Sequence, residues 1–180
     1  MTRRTMAGVV IGGVLLAACN TPPPRPWLRF RPAGATNWST AADGTLQATL
    51  HGVGVTLDLG NRETKIHVMV ENGTDRAIEF KMGPEGAQPR SAIGEVLLRP
   101  LAGPPGTSGP DMLPYNCMQA QSVDAAWRGT FFIDVPLGRA VTVGQTFVFT
   151  VEARDAAGAV ERRSLPLVAE NSGTMPADAR

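Results

Sequence analysis

Imidazole and thiol are scarce in this chain: His51, His67, Cys19 and Cys117 are all that its 180 residues supply. The most suggestive spacing is His67-Val68-Met69. On a strand, residues i and i+2 leave the same face, so the imidazole and the thioether project together. Soft sulfur with imidazole suits copper. Met82, Met112, Cys117 and Met118 are further candidate donors. Cys117 has four readings: metal ligand, redox thiol, intermolecular bridge or small buried hydrophobe. Nucleophilic catalysis needs a base within reach of the nucleophile and a group that orients the base. Two histidines offer few such choices, and His51 precedes a different strand from His67. Asp134, Glu152 and Asp155 are a candidate carboxylate cluster, although turns and outward strand positions account for all three. No Gly-rich loop follows a strand and opens a helix, as a phosphate cradle would require. The expectation is a protein that is not an enzyme and that carries no cofactor.

Cys19 belongs to a different chemistry. Arg3 and Arg4 precede an apolar run, Met6 to Ala18, that ends in small residues. A basic start, an apolar middle and small residues before a cut are the layout of a secretory signal. The 13 residues of the run fall short of the roughly 20 needed to cross a hydrocarbon core. Gly8, Gly12 and Gly13 would weaken a core helix. The stretch Leu16-Ala17-Ala18-Cys19 resembles the lipobox of bacterial lipoproteins. The resemblance implies diacylglycerol on the Cys19 sulfur, cleavage between Ala18 and Cys19, and acylation of the new amine. It also implies a cell-envelope location. Asn20 lacks the aspartate that retains such proteins in the inner membrane of some bacteria, so the outer membrane, facing the periplasm, is the expectation. The His67-x-Met69 element is similar to that of periplasmic copper chaperones, but the upstream His and Met of that family's motif are absent here.

Cleavage at this point leaves 162 residues, Cys19–Arg180, with 15 basic and 16 acidic side chains. That length suits one domain with a tether. No Lys/Arg cluster offers a nucleic-acid surface. With Cys19 committed to lipid, Cys117 has no intramolecular disulfide partner.

Residues 19–45 read as a tether. Thr21-Pro22-Pro23-Pro24-Arg25-Pro26 favours extended polyproline II. Trp27, Leu28, Phe30 and Trp38 are apolar for a free linker, so partial docking is expected, with Trp27-Leu28-Arg29-Phe30 as a first strand. From Leu46 the apolar period is two: Val53, Val55, Leu57, then Ile66, Val68, Val70, then Ile78, Phe80, Met82. Such alternation sends one face inward and one to water. Asn72-Gly73-Thr74-Asp75 supplies a turn, and Val96 to Arg99 a short strand. Pro100 to Ala126 reads as a long loop, with a short helix in Gln119 to Ala126 or a binding role. Trp127, Phe131, Ile133 and Val135 share one face. Phe147, Phe149, Val151 and Ala153 share another, and Val160 to Val168 pairs with it. Pro166 places that last strand at an edge. Phe132 and Val148 point away from the core and would form an apolar patch if adjacent.

The pattern predicts an all-β fold: a two-sheet β-sandwich of about 7–8 strands. The domain spans residues 46–170, after the signal at 1–18 and the tether, and before a fraying tail at 171–180. Thr64 to Met82 and Val143 to Gly158 are similar to strands of immunoglobulin-like domains in bacterial envelope lipoproteins, without the Cys–Trp–Cys core. The functions consistent with these features are a lipid-anchored binding or assembly module for a protein partner, a copper-handling protein using His67 and Met69, and an inhibitor-like sandwich presenting its long loop.

Overall fold

Among the described residues twelve strands account for the periodicity: β1 (Pro26–Pro32), β2 (Ser39–Thr40), β3 (Leu46–Leu50), β4 (Val53–Asp58), β5 (Lys65–Asn72), β6 (Ile78–Pro84), β7 (Gly94–Pro100), β8 (Leu113–Tyr115), β9 (Gln121–Val123), β10 (Trp127–Asp134), β11 (Thr146–Arg154) and β12 (Val160–Thr174). The computed structural model describes residues 26–59, 65–86, 94–102, 112–135 and 142–174. The strands form two antiparallel sheets. The smaller runs β1-β12-β11-β6-β9 and the larger β2-β3-β4-β5-β10-β7-β8. The protein is therefore an all-β two-sheet sandwich. Eight of its strands are those that alternation marks; β1, β2, β8 and β9 come from the segments read as tether and loop.

The core lies between the sheets and takes the inward residues of each alternating run. Ile66, Val68 and Val70 of β5 are fully buried, as are Phe80 and Met82 of β6, Phe131 and Ile133 of β10, and Phe149 and Val151 of β11. The Tyr115 and Phe131 rings meet edge to face at 5.0 Å, and Phe30 meets Phe147 likewise at 5.3 Å, a favoured aromatic geometry.

Four expectations need correction. The domain begins at Pro26, not Leu46: β1 pairs with β12 from Pro26↔Thr174 to Pro32↔Leu167. Leu28, Phe30 and Trp38 are buried. Removing a side chain such as Leu or Phe from water contributes about 1.5–3 kcal/mol, which favours docking of this stretch over a free tether. By the same pairing, β12 extends past residue 170 to Thr174. The Gln119 to Ala126 segment holds no helix. Its Gln121–Val123 part pairs with Ile78–Phe80 of β6, and Val123 enters the core. Finally, β12 is an interior strand, flanked by β1 and β11. Pro166 is tolerated because its nitrogen faces β1 where that strand stops. Its carbonyl accepts from the Ala33 N–H at 2.9 Å, and the missing donor falls at the ladder's end.

One polar side chain is fully enclosed at the end of β5. The Asn72 amide nitrogen donates to the carbonyls of Arg76 (2.7 Å), Val123 (2.9 Å) and Asp124 (3.1 Å). Its oxygen accepts from the backbone N–H (3.1 Å) and hydroxyl (2.6 Å) of Thr74. The β5–β6 turn in the chain thus also fastens the β9–β10 junction. Asn72→Ala leaves buried carbonyls unpaired and should cost about 2–4 kcal/mol, read as a lower urea midpoint with an unchanged slope. Asn72→Asp, which cannot donate, should not restore the loss.

Candidate functional site

The outer face of the larger sheet carries the His67 pair. β5 alternates, with Ile66, Val68 and Val70 inward and His67 and Met69 outward and half-buried. Register places Asp58 of β4 beside His67 on one side and Phe132 of β10 on the other. The His67 and Phe132 rings meet edge-on, with centroids 4.9 Å apart. The row continues to Glu95 of β7 and Pro114 of β8. Met69 lies between Thr56 and Thr130.

Next to this row is a cleft of about 340 Å³ lined by Lys65, Gly94, Glu95, Met112, Pro114, Phe132 and Asp134. Met112 is 44% exposed and its neighbour Leu113 49%. Lys65 and Asp134 pair across the strands at 3.8 Å. The cleft thus offers an aromatic ring and a thioether between charges of both signs. That composition suits binding of a mixed polar and apolar surface.

The other proposed donors do not converge on His67. Met82 and Cys117 are fully buried in the core, on the far side of the larger sheet from His67. Met112 lies across β10 and β7 from His67, with Phe132 between them. Met118 sits in the turn Asn116–Gln119 with φ +59°, and its N–H donates to the Met82 carbonyl at 3.0 Å. Among the described residues no group of three or more His, Cys, Asp or Glu side chains is arranged to hold a metal. Cys19 and Ala18 lie outside the described residues.

The candidate catalytic groups are also apart. His51 and His67 lie at opposite ends of β4, whose six residues span about 20 Å. Asp134 belongs to the larger sheet and pairs with Lys65. Glu152 belongs to the smaller sheet, between Lys81 (3.9 Å) and Arg162 (3.2 Å). Asp155 closes its own turn, accepting from the N–H groups of Ala157 and Ala159. Phe132 and Val148 lie on the outer faces of different sheets and form no common patch.

Cys117 is a packing residue. A β-carbon on Gly83 would come within 2.5 Å of its sulfur, at φ +150°, so this glycine makes room for the thiol. Burial, with the Asp134 carboxylate adding to it, pushes the thiol up to about 12. The Tyr115 hydroxyl closes the same region: it accepts from the Met82 N–H at 3.0 Å and has the Gln119 carbonyl within 3.1 Å. Burial pushes this phenol upward as well.

A second cleft, of about 310 Å³, lies at one end of the sandwich among three turns and includes His51, Thr74, Arg76 and Asp155 in its lining. His51 and Gly52 have φ +46° and +78°, the left-handed pair of a two-residue hairpin turn closed by Leu50↔Val53. The His51 N–H donates to Glu161 at 2.7 Å. Its Nδ1 is 4.0 Å from Asp155, and its Nε2 is buried without a partner. The signal for this turn was present in the sequence: two residues, the second a glycine, between two alternating runs.

No family model matches the chain, and no curated protein matches it.

The thiol assignment has a measurable consequence. A folded-state value raised from 9.0 to about 12 means the fold favours the protonated thiol. That stability is complete below pH 9 and is lost as pH rises toward 12. The wild type should therefore lose stability more steeply between these limits than Cys117→Ala, as read by chemical denaturation at each pH.

Proposed function

We propose that the protein is a lipid-anchored, immunoglobulin-like β-sandwich of a bacterial cell envelope that binds or helps assemble a protein partner. The Leu16-Ala17-Ala18-Cys19 stretch carries the envelope part of this reading. It assigns the acyl chains to Cys19 and the released peptide to residues 1–18. More than one acyl chain gives stable anchoring, since each buried CH₂ adds about 0.8 kcal/mol. The outer membrane, with the domain facing the periplasm, is the location that Asn20 favours.

Support for binding comes from the outer face of the larger sheet. The cleft beside Phe132 combines exposed Met112 with Lys65, Glu95 and Asp134. An aromatic and a thioether flanked by charge are what a partner's mixed surface would bury. A second reading, copper handling, is favoured by the shared outward face of His67 and Met69.

Two experiments test these readings. Labelling cells with radioactive palmitate should mark the wild type and leave Cys19→Ser unlabelled and uncleaved; label retained by the variant would sink the anchor. Cu(I) titration separates the second reading from the first. Binding that weakens by an order of magnitude or more in His67→Ala, about 1.4 kcal/mol, would favour copper handling. Equal titration curves would leave the binding module alone.

A further inference from the structure

We infer that the sandwich stands on the bilayer by one particular end, with the turn Thr142–Gln145 toward the lipid and the turn Asp155–Gly158 away from it. The inference rests on the lipid anchor proposed above. It follows from how little chain lies between that anchor and the first strand. Pro26 is already paired, with Thr174, so only Asn20–Arg25 separate it from Cys19. Seven peptide steps reach at most about 25 Å, and about 22 Å as polyproline II.

The opposite end is farther away than that. β12 runs from Thr174, beside Pro26, back to Val160. At about 3.3 Å per residue its two ends are about 46 Å apart. The turn Asp155–Gly158 lies beyond Val160, closed by the Asp155 N–H donating to the Ala159 carbonyl. The turn Thr142–Gln145 is on the near side. The Gly144 N–H donates to the Ala169 carbonyl at 2.8 Å, about 17 Å along β12 from Thr174. A tether of this length leaves the near turn at most about 40 Å from the anchor, always nearer than the far end. It cannot invert the domain, because the anchor would then have to reach back along about 46 Å of β12.

Val143 sits at the apex of the near turn, 55% exposed, in a loop closed by the Gln145 N–H donating to the Thr142 carbonyl. The far end presents Asp75 and Arg76, whose side chains are 89% and 75% exposed, beside Val160 at 49%, so the reach of the tether and not polarity decides between the two ends. Lying flat would press an ion-paired face against lipid: Arg128–Glu71 and Lys65–Asp134 on the larger sheet, Glu152 with Lys81 and Arg162 on the smaller. Removing such pairs from water is costly.

The test uses the full lipidated chain on phosphatidylethanolamine–phosphatidylglycerol vesicles doped with a headgroup nitroxide lipid. A fluorophore is placed at Val143→Cys or at Ala157→Cys, both exposed turn positions; Cys117 is buried and stays unlabelled. Clearly stronger quenching at position 143 than at 157 is the expected result. Equal quenching at the two positions, in protein that floats with the vesicles, overturns the orientation and leaves the anchor standing. Protein that does not float with the vesicles overturns both.

Discussion

The carboxamide of Asn72 is where the two sheets are held in register at one end. It is the last residue of β5 in the larger sheet, and its amide reaches the carbonyls of Val123, which ends β9 of the smaller sheet, and of Asp124 just after it. A buried amide that left its hydrogen bonds unmade would carry a penalty comparable with much of a domain's net stability. With every bond made, it admits one arrangement only. Turn, crossover and strand start must all be in place for the nitrogen to find its acceptors. The alternation of β5 continues into this residue, so the inward position after Val70 is polar where the pattern would otherwise ask for a hydrophobe.

That exception shows what periodicity conveys and what it omits. The inward faces of β4, β5, β6, β10 and β11 were legible because each is a run of apolar residues at spacing two, and one buried face leaves no alternative register. The short strands were not. β8 and β9 have three residues each, too few to establish a period, and β8 carries Pro114 just after a run rich in proline and glycine. Pro166 misled for a different reason. A missing donor signals an edge only if a neighbouring strand needs that donor, and β1 ends at the level where it would have been used. Leu28 and Phe30, by contrast, did announce that the supposed tether is part of the body.

The same division applies to the candidate site. That His67 and Met69 share an outward face follows from strand geometry alone. What surrounds them depends on strand order, which one sequence does not reveal: Asp58 and Phe132 become neighbours only because β4 and β10 flank β5. Strand order also scatters Met82, Cys117, Asp134 and Glu152, which a linear reading could gather at will. Cys117 sits over Gly83 as a space-filling group, and its raised thiol value follows from that enclosure.

The pairing of β1 with β12 has a bearing on when the molecule can form. The opening strand finds its neighbour among the final residues described, 26 against 174, so the smaller sheet cannot close until those residues have been made. Contacts so distant along the chain slow folding. Until β12 is made, β1 and β11 lack the strand that lies between them, whereas every strand of the larger sheet is already present by Asp134, so the two halves of the sandwich become available in sequence.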